Sequence, residues 1–170
     1  MSADVELSGA GAREEIWVMD PATLRDVVLD REAMEARLGD CTELERVWIL
    51  SVLGREEEAL TEGLALLAAS RDRLRPLLVV AQAFQRRYQW HQAARLHEEA
   101  LRLARTPATE ALVRHQIGRR LFDEARYRDA AAEFDWAHDL YRTAGRDRLA
   151  RLSRRCMDRA RQVQAQAHHL

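Results

Sequence analysis

The 170-residue chain contains no lysine; all 27 of its basic residues are arginine. That absence reads first as the coding bias of a GC-rich, bacterial genome and only then as a sign of function. Long apolar runs are missing too. A membrane-spanning helix needs about 18 or more consecutive apolar residues, and the chain has no such run. The opening MSADVELSGAGAREE has neither the basic start nor the apolar core of a signal peptide, so the cytoplasm is the expected compartment. Cysteine is reduced to Cys41 and Cys156, too few and too far apart for a disulfide framework or a zinc site. Two free thiols are expected. Seven glycines and three prolines are few, and they fall between apolar-periodic segments, as suits an all-helical chain. This length fits one domain burying roughly 70% of the surface its unfolded chain exposes.

Catalytic and ligand-holding patterns are absent as well. There is no G-x-S-x-G, no G-x-x-x-x-G-K-[ST], no G-x-G-x-x-G and no H-E-x-x-H or C-x2-C spacing. Six histidines are present, but His91 and His97 are six apart, His115 and His138 fall on different helices, and His168-His169 ends the chain. Asp135 and His138 share a helix face as a local surface contact. The expectation is no enzyme, no cofactor and no metal.

What the chain does have is a beat. Tyr127, Ala130, Phe134 and Ala137 fall at steps of three, four and three, one stripe of an α-helix with small residues where another helix comes close. Trp90, Ala93, His97 and Ala100 repeat it, and Glu56, Ala59, Gly63 and Leu66 repeat it faintly. Ala59, Ala93 and Ala130 lie 34 and then 37 residues apart, a period typical of helix-pair repeats. Twelve residues before each stand Val47, Ala81 and Gly118; nine before stand Leu50, Phe84 and Leu121. These residues resemble the tetratricopeptide repeat, whose first helix carries a small residue at that place and whose second carries an A-x3-F-x2-A core. The resemblance implies a right-handed superhelical array of antiparallel helix pairs, an α-solenoid, with His97 in an aromatic core slot as a half-buried structural residue. Glu43, Gly63 and Arg114 depart from the family's large apolar positions.

Taken in order, residues 1–20 are expected to form a flexible acidic segment. Asp20-Pro21 reads as a helix start, Asp capping and Pro in the first position, with Leu24, Val27, Val28, Met34 and Leu38 on one face of a helix within residues 21–39. Residues 40–145 hold three helix pairs. Thr42-Glu43-Leu44-Glu45 is a capping box, Thr106-Pro107 a cap with a first-turn proline, and Gly54 and Ala144-Gly145 are stops. Residues 146–170 supply a capping helix whose Leu149, Leu152, Cys156 and Val163 cover the open end of the array, as arrays of this kind require.

Charge is segregated. Residues 1–62 carry 16 acids against 6 arginines, a net −10; residues 63–170 carry 12 acids against 21 arginines, a net +9. Such asymmetry concerns association rather than fold. Once the core stripe of each first helix is assigned, a second stripe is left over. It contains Arg75, Leu78, Val79, Gln82, Gln85 and Arg86, then Leu112, His115, Gln116, Arg119, Phe122 and Asp123, then Arg151 and Arg154 on the last helix. In tetratricopeptide arrays that stripe lines the concave face, where peptides bind. The resemblance therefore implies an Arg-rich groove with an apolar floor, formed by Arg75, Leu78, Val79, Gln82, Gln85, Arg86, His115, Gln116, Arg119, Phe122, Arg151 and Arg154. The guanidinium fork grips a carboxylate through two charge-assisted hydrogen bonds, so the favoured ligand is an acidic segment with apolar anchors. The family's lysine and asparagine carboxylate clamp is missing. Trp48 falls on the groove side of its helix, and Trp17 needs an apolar partner in its own domain or another chain.

The leading expectation is a non-catalytic protein-binding module, a scaffold or adaptor whose partner is another protein or an acidic peptide. The alternative is self-assembly, with residues 13–20 (REEIWVMD) filling their own groove or a neighbour's in a homo-oligomer. Nucleic-acid binding through the arginines of residues 142–161 ranks lower, because the acidic N-terminal part would repel a polyanion.

Overall fold

The computed structural model describes residues 15–167. The flexibility expected of residues 1–14 lies outside them. The described chain opens on a short antiparallel hairpin, β1 (Trp17–Met19) and β2 (Asp26–Val28), followed by a small helix, α1 (Arg31–Ala36), and a single tight turn of 3-10 helix over Arg37–Gly39. Seven longer helices complete it: α2 (Glu43–Val52), α3 (Glu56–Ala69), α4 (Leu74–Arg86), α5 (Trp90–Leu103), α6 (Pro107–Asp123), α7 (Tyr127–Thr143) and α8 (Asp147–Ala167). The described chain is all-α apart from the hairpin.

Local chemistry sets the helix ends. Thr42 and Glu45 cap α2 reciprocally: the Thr42 hydroxyl accepts from the Glu45 amide at 3.2 Å, and the Glu45 carboxylate accepts from the Thr42 amide at 2.8 Å. Thr106 and Thr109 do the same at α6, where Pro107 occupies the first turn and costs no donor. The helices of each pair are joined by one and the same turn. After α2 the Gly54 amide bonds to Ser51 O and the Arg55 amide to Leu50 O; the pattern recurs after α4, α6 and α7. This is a Schellman stop, which puts one residue in the left-handed region. Gly54 (φ 79°) and Gly145 (φ 68°) suit it, whereas Tyr88 (φ 60°) and Ala125 (φ 59°) adopt it with a side chain.

Consecutive helices pack on one another, and α2 also meets α4, as α4 meets α6. The small-residue stripes make this possible. Ala59, Ala93, Ala100, Ala130, Phe134 and Ala137 are all fully buried, and so are Ala81 and Val47 opposite them. At Gly118 an added Cβ would lie 2.7 Å from the Phe134 ring, so the absence of a side chain there is what admits the aromatic. His97 holds the equivalent place in α5 and is more buried than expected, at 1% exposure.

The helix expected from Pro21 onward is a correction. Residues 20–25 are a loop and 26–28 a strand; only Arg31–Ala36 is α-helical in that stretch. Asp20 does cap, but it caps a turn: its carboxylate accepts from the Ala22 amide at 2.9 Å and the Thr23 hydroxyl at 2.8 Å. The loop closes through Leu24 N–H to Asp20 O and Asp20 N–H to Arg25 O, with Leu24 at φ 57°. The β-branched pair Val27-Val28 then continues as strand, where branching at Cβ is favoured. Residues 17–19, expected within a flexible segment, are the partner strand, with Val18 opposite Val27.

Candidate functional site

Residues one turn apart on a helix share a face, and Gln82 and Arg86 do so on α4. Arg119 on α6 and Trp48 on α2 present side chains to the same place, and what fills that place is the hairpin. Asp26 points inward from β2 and is only 5% exposed. Its carboxylate is gathered by three helices. Arg119 Nη2 donates to Oδ1 at 2.9 Å, while Gln82 Nε2 and Trp48 Nε1 donate to Oδ2 at 3.0 and 3.3 Å. Two more donors reach the backbone: Arg119 Nε to Leu24 O at 3.0 Å and Arg86 Nη1 to Asp26 O at 3.4 Å. The face thus holds both the hairpin's carboxylate and two of its main-chain carbonyls.

Burial by itself would raise the Asp26 pKa, but the Arg119 charge and the bonds from Trp48, Arg119 and Gln82 outweigh it and hold the carboxyl below its ordinary value. The same burial lowers the Arg86 pKa, and the neighbouring Asp26 partly offsets that. A second node lies alongside. Asp123 accepts from Gln85 Nε2 at 2.6 Å and from Arg25 Nε at 2.9 Å, and the Arg25 guanidinium lies 5.4 Å from the centre of the Tyr88 ring. Apolar contacts finish the seat. Leu24, 3% exposed, joins the core cluster that includes Leu78, Phe122 and Met157, and Trp17 meets Trp48 edge to face at 5.0 Å.

Of the residues expected to line a groove, Gln82, Gln85, Arg86 and Arg119 are brought together, over a floor in which Leu78, Val79 and Phe122 are buried. Others go elsewhere. His115 is a core residue: its Nδ1 lies 2.9 Å from the Ser153 hydroxyl, its ring tilts against Phe134, and burial lowers its pKa to about 3. Gln116 is half-buried on α6. Arg75 lines a separate shallow hollow with Arg71, Arg73 and Arg105 at the starts of α4 and α6. Arg151 and Arg154 are exposed on α8, where Arg154 faces Asp158 at 3.6 Å. The α8 arginine that does reach the hairpin is Arg159, whose Nε donates to Ala22 O at 3.0 Å. Asp135 and His138 part company: His138 Nδ1 lies 2.9 Å from Ala150 O, and Asp135 faces Arg161.

The occupant was missed by sequence reasoning at Leu24, Arg25 and Asp26. The residues seated on the face lie just beyond the REEIWVMD segment singled out in the sequence. Among the described residues no group of three or more His, Cys, Asp or Glu is placed to hold a metal ion, and Cys41 and Cys156 are free thiols. No helix of the described residues is long and apolar enough to cross a membrane. Comparison with protein-family models, with curated proteins and with solved structures finds no match to the chain in any of the three.

Proposed function

We propose that the chain is a non-catalytic protein-binding module: a solenoid of tetratricopeptide-like helix pairs whose Arg-lined inner face takes an acidic–apolar segment of another protein. The observation that carries this reading is the treatment of Asp26. A buried carboxylate is costly unless it is paired and fully hydrogen-bonded. Three side chains on three helices meet that requirement with geometry suited to a carboxylate. The right-handed superhelical winding belongs to the same proposal, supported by the recurrent Schellman turns and by the contacts of α2 with α4 and of α4 with α6.

The test is a titration of fluorescent acidic–apolar peptides, beside versions with their acids replaced by amides, followed by anisotropy. The full-length receptor carries Leu24→Ala, which trims the hairpin's anchor. Acidic peptides should bind and amide versions should not, and adding Arg86→Glu and Arg119→Glu should abolish binding at unchanged helicity. Equal binding of acids and amides, or binding that survives the charge reversal, would sink the reading.

A further inference from the structure

We infer that the hairpin occupies the place of the ligand. The partner is then a non-helical segment with an apolar side chain two residues before an aspartate, seated where Leu24-Arg25-Asp26 now lies. This rests on the protein-binding reading above and narrows it.

Two of the donors on this face reach main-chain carbonyls, those of Leu24 and Asp26. In an α-helix such carbonyls are taken by amides four residues on. A helical ligand would therefore leave Arg119 Nε and Arg86 Nη1 without the acceptors they have here, so the occupant is non-helical at these two positions. The carboxylate position is equally demanding. Arg119 takes Oδ1 while Gln82 and Trp48 share Oδ2, and all three are donors. An asparagine would turn its own NH2 against one of them, and an amide–donor clash in a nearly dry site is costly. A glutamate would displace the carboxylate by a methylene from donors fixed on three helices. Two positions earlier, Leu24 is buried to 3% exposure and sets the apolar anchor. The spacing is thus part of the recognition.

The present occupant is also built to leave. A two-stranded ribbon with three residues per strand has little stability of its own. Its outer face is bare, with Val18, Val27 and Leu29 exposed, so the helices hold it from one side only. Leu24 sits at φ 57°, a left-handed conformation that a leucine adopts only when its surroundings impose it. Because the hairpin is tethered, it competes at a high effective concentration and masks the face until it lets go.

The experiment uses the full-length chain and a fluorescein-labelled synthetic peptide of residues 20–28, beside an Asp26→Asn peptide and one with Leu24 and Arg25 exchanged. The Leu24→Ala chain is expected to bind the parent peptide about tenfold or more tighter than the wild-type chain, and the two altered peptides about tenfold or more weaker than the parent. If the exchanged peptide binds as well as the parent while the Asp26→Asn peptide does not, the acidic-segment reading stands and the spacing inference falls; if the Asp26→Asn peptide also binds as well as the parent, both fall. If no peptide binds either chain, both fall. Wild type binding as tightly as Leu24→Ala also overturns the inference, because the hairpin is then no competitor. So does a Leu24→Ala chain that doubles its mass in light scattering and excludes the peptide, since the occupant is then a second copy. A measurement on the unmodified protein guards against a variant that misfolds. In native-state hydrogen exchange the Leu29 and Asp20 amides should exchange about 100-fold or more faster than core amides of α4 and α6. Exchange in step with those helices overturns the inference.

Discussion

Arg86 and Arg119 belong to the same leftover stripe as Arg151 and Arg154, yet the two pairs live differently. Arg119 is nine-tenths buried, with its side chain at 11% exposure against Asp26 at 6%. Arg154 and its neighbour Asp158 are at 56% and 60% exposure. One guanidinium is held between a carboxylate and a carbonyl contributed from nearly a hundred residues away; the other stands in water beside an acid on its own helix. Periodicity assigns both to one face, but burial and partner decide which of them carries information. A stripe of arginine becomes part of the packed structure only where something buries it.

Acid should separate the two most widely. His97 and His115 are buried neutral, with pKa values lowered from 6.5 to about 3 by burial first and by Arg120 and Arg119 second. A folded-state pKa below the unfolded one means the unfolded chain binds more protons, so their contribution is complete above about pH 6.5 and lost as pH falls toward 3. Between pH 6.5 and 4.5 the loss should be on the order of 5 kcal/mol by denaturant titration. Asp26, also lowered, adds its own loss only below the ordinary carboxylate range. The same curve for Arg151→Ala and Arg154→Ala should superimpose on wild type. A flat stability profile across pH 6.5–4.5 would show that the histidines are not held neutral.

Next in size is Arg119→Ala. It leaves Asp26 buried with two neutral donors, and removing one member of a buried ion pair costs about 3–5 kcal/mol. Urea melting would measure it, and a cost under 1 kcal/mol would place Asp26 in water. Leu24→Ala should weaken hairpin docking by about 2–3 kcal/mol, at the low end for a buried leucine because the site lies at one edge of the core. The exchange rate of the Leu29 amide reports that directly. Smallest of all, Arg154→Ala should stay within about 0.5 kcal/mol of wild type.

The helices were legible because their signal is local. Alanines at steps of three and four, a Thr-x-x-Glu box and a proline after threonine each act within a turn or two, and α3, Glu56–Ala69, contains the whole Glu56–Leu66 stripe. The face was half legible. Gln82, Gln85, Arg86 and Arg119 could be placed by periodicity; that His115 turns to Ser153 instead could not, because the choice is made by α8, 38 residues later. The hairpin misled because Asp20-Pro21 serves two structures. An aspartate oxygen that accepts from an amide two residues on makes a turn, and one that accepts two or three residues on can start a helix. What decides is the destination of Leu24 and Asp26, and that is written in α2, α4 and α6.

The order of synthesis adds a constraint to this arrangement. The hairpin leaves the ribosome before any helix that receives it, and Arg119 follows Asp26 by 93 residues. At about 5–20 residues per second, Trp17, Met19 and Leu24 wait some 5–20 seconds for their seat. The hairpin is made early and seated late, and through that interval its apolar residues are open to whatever else the cell presents.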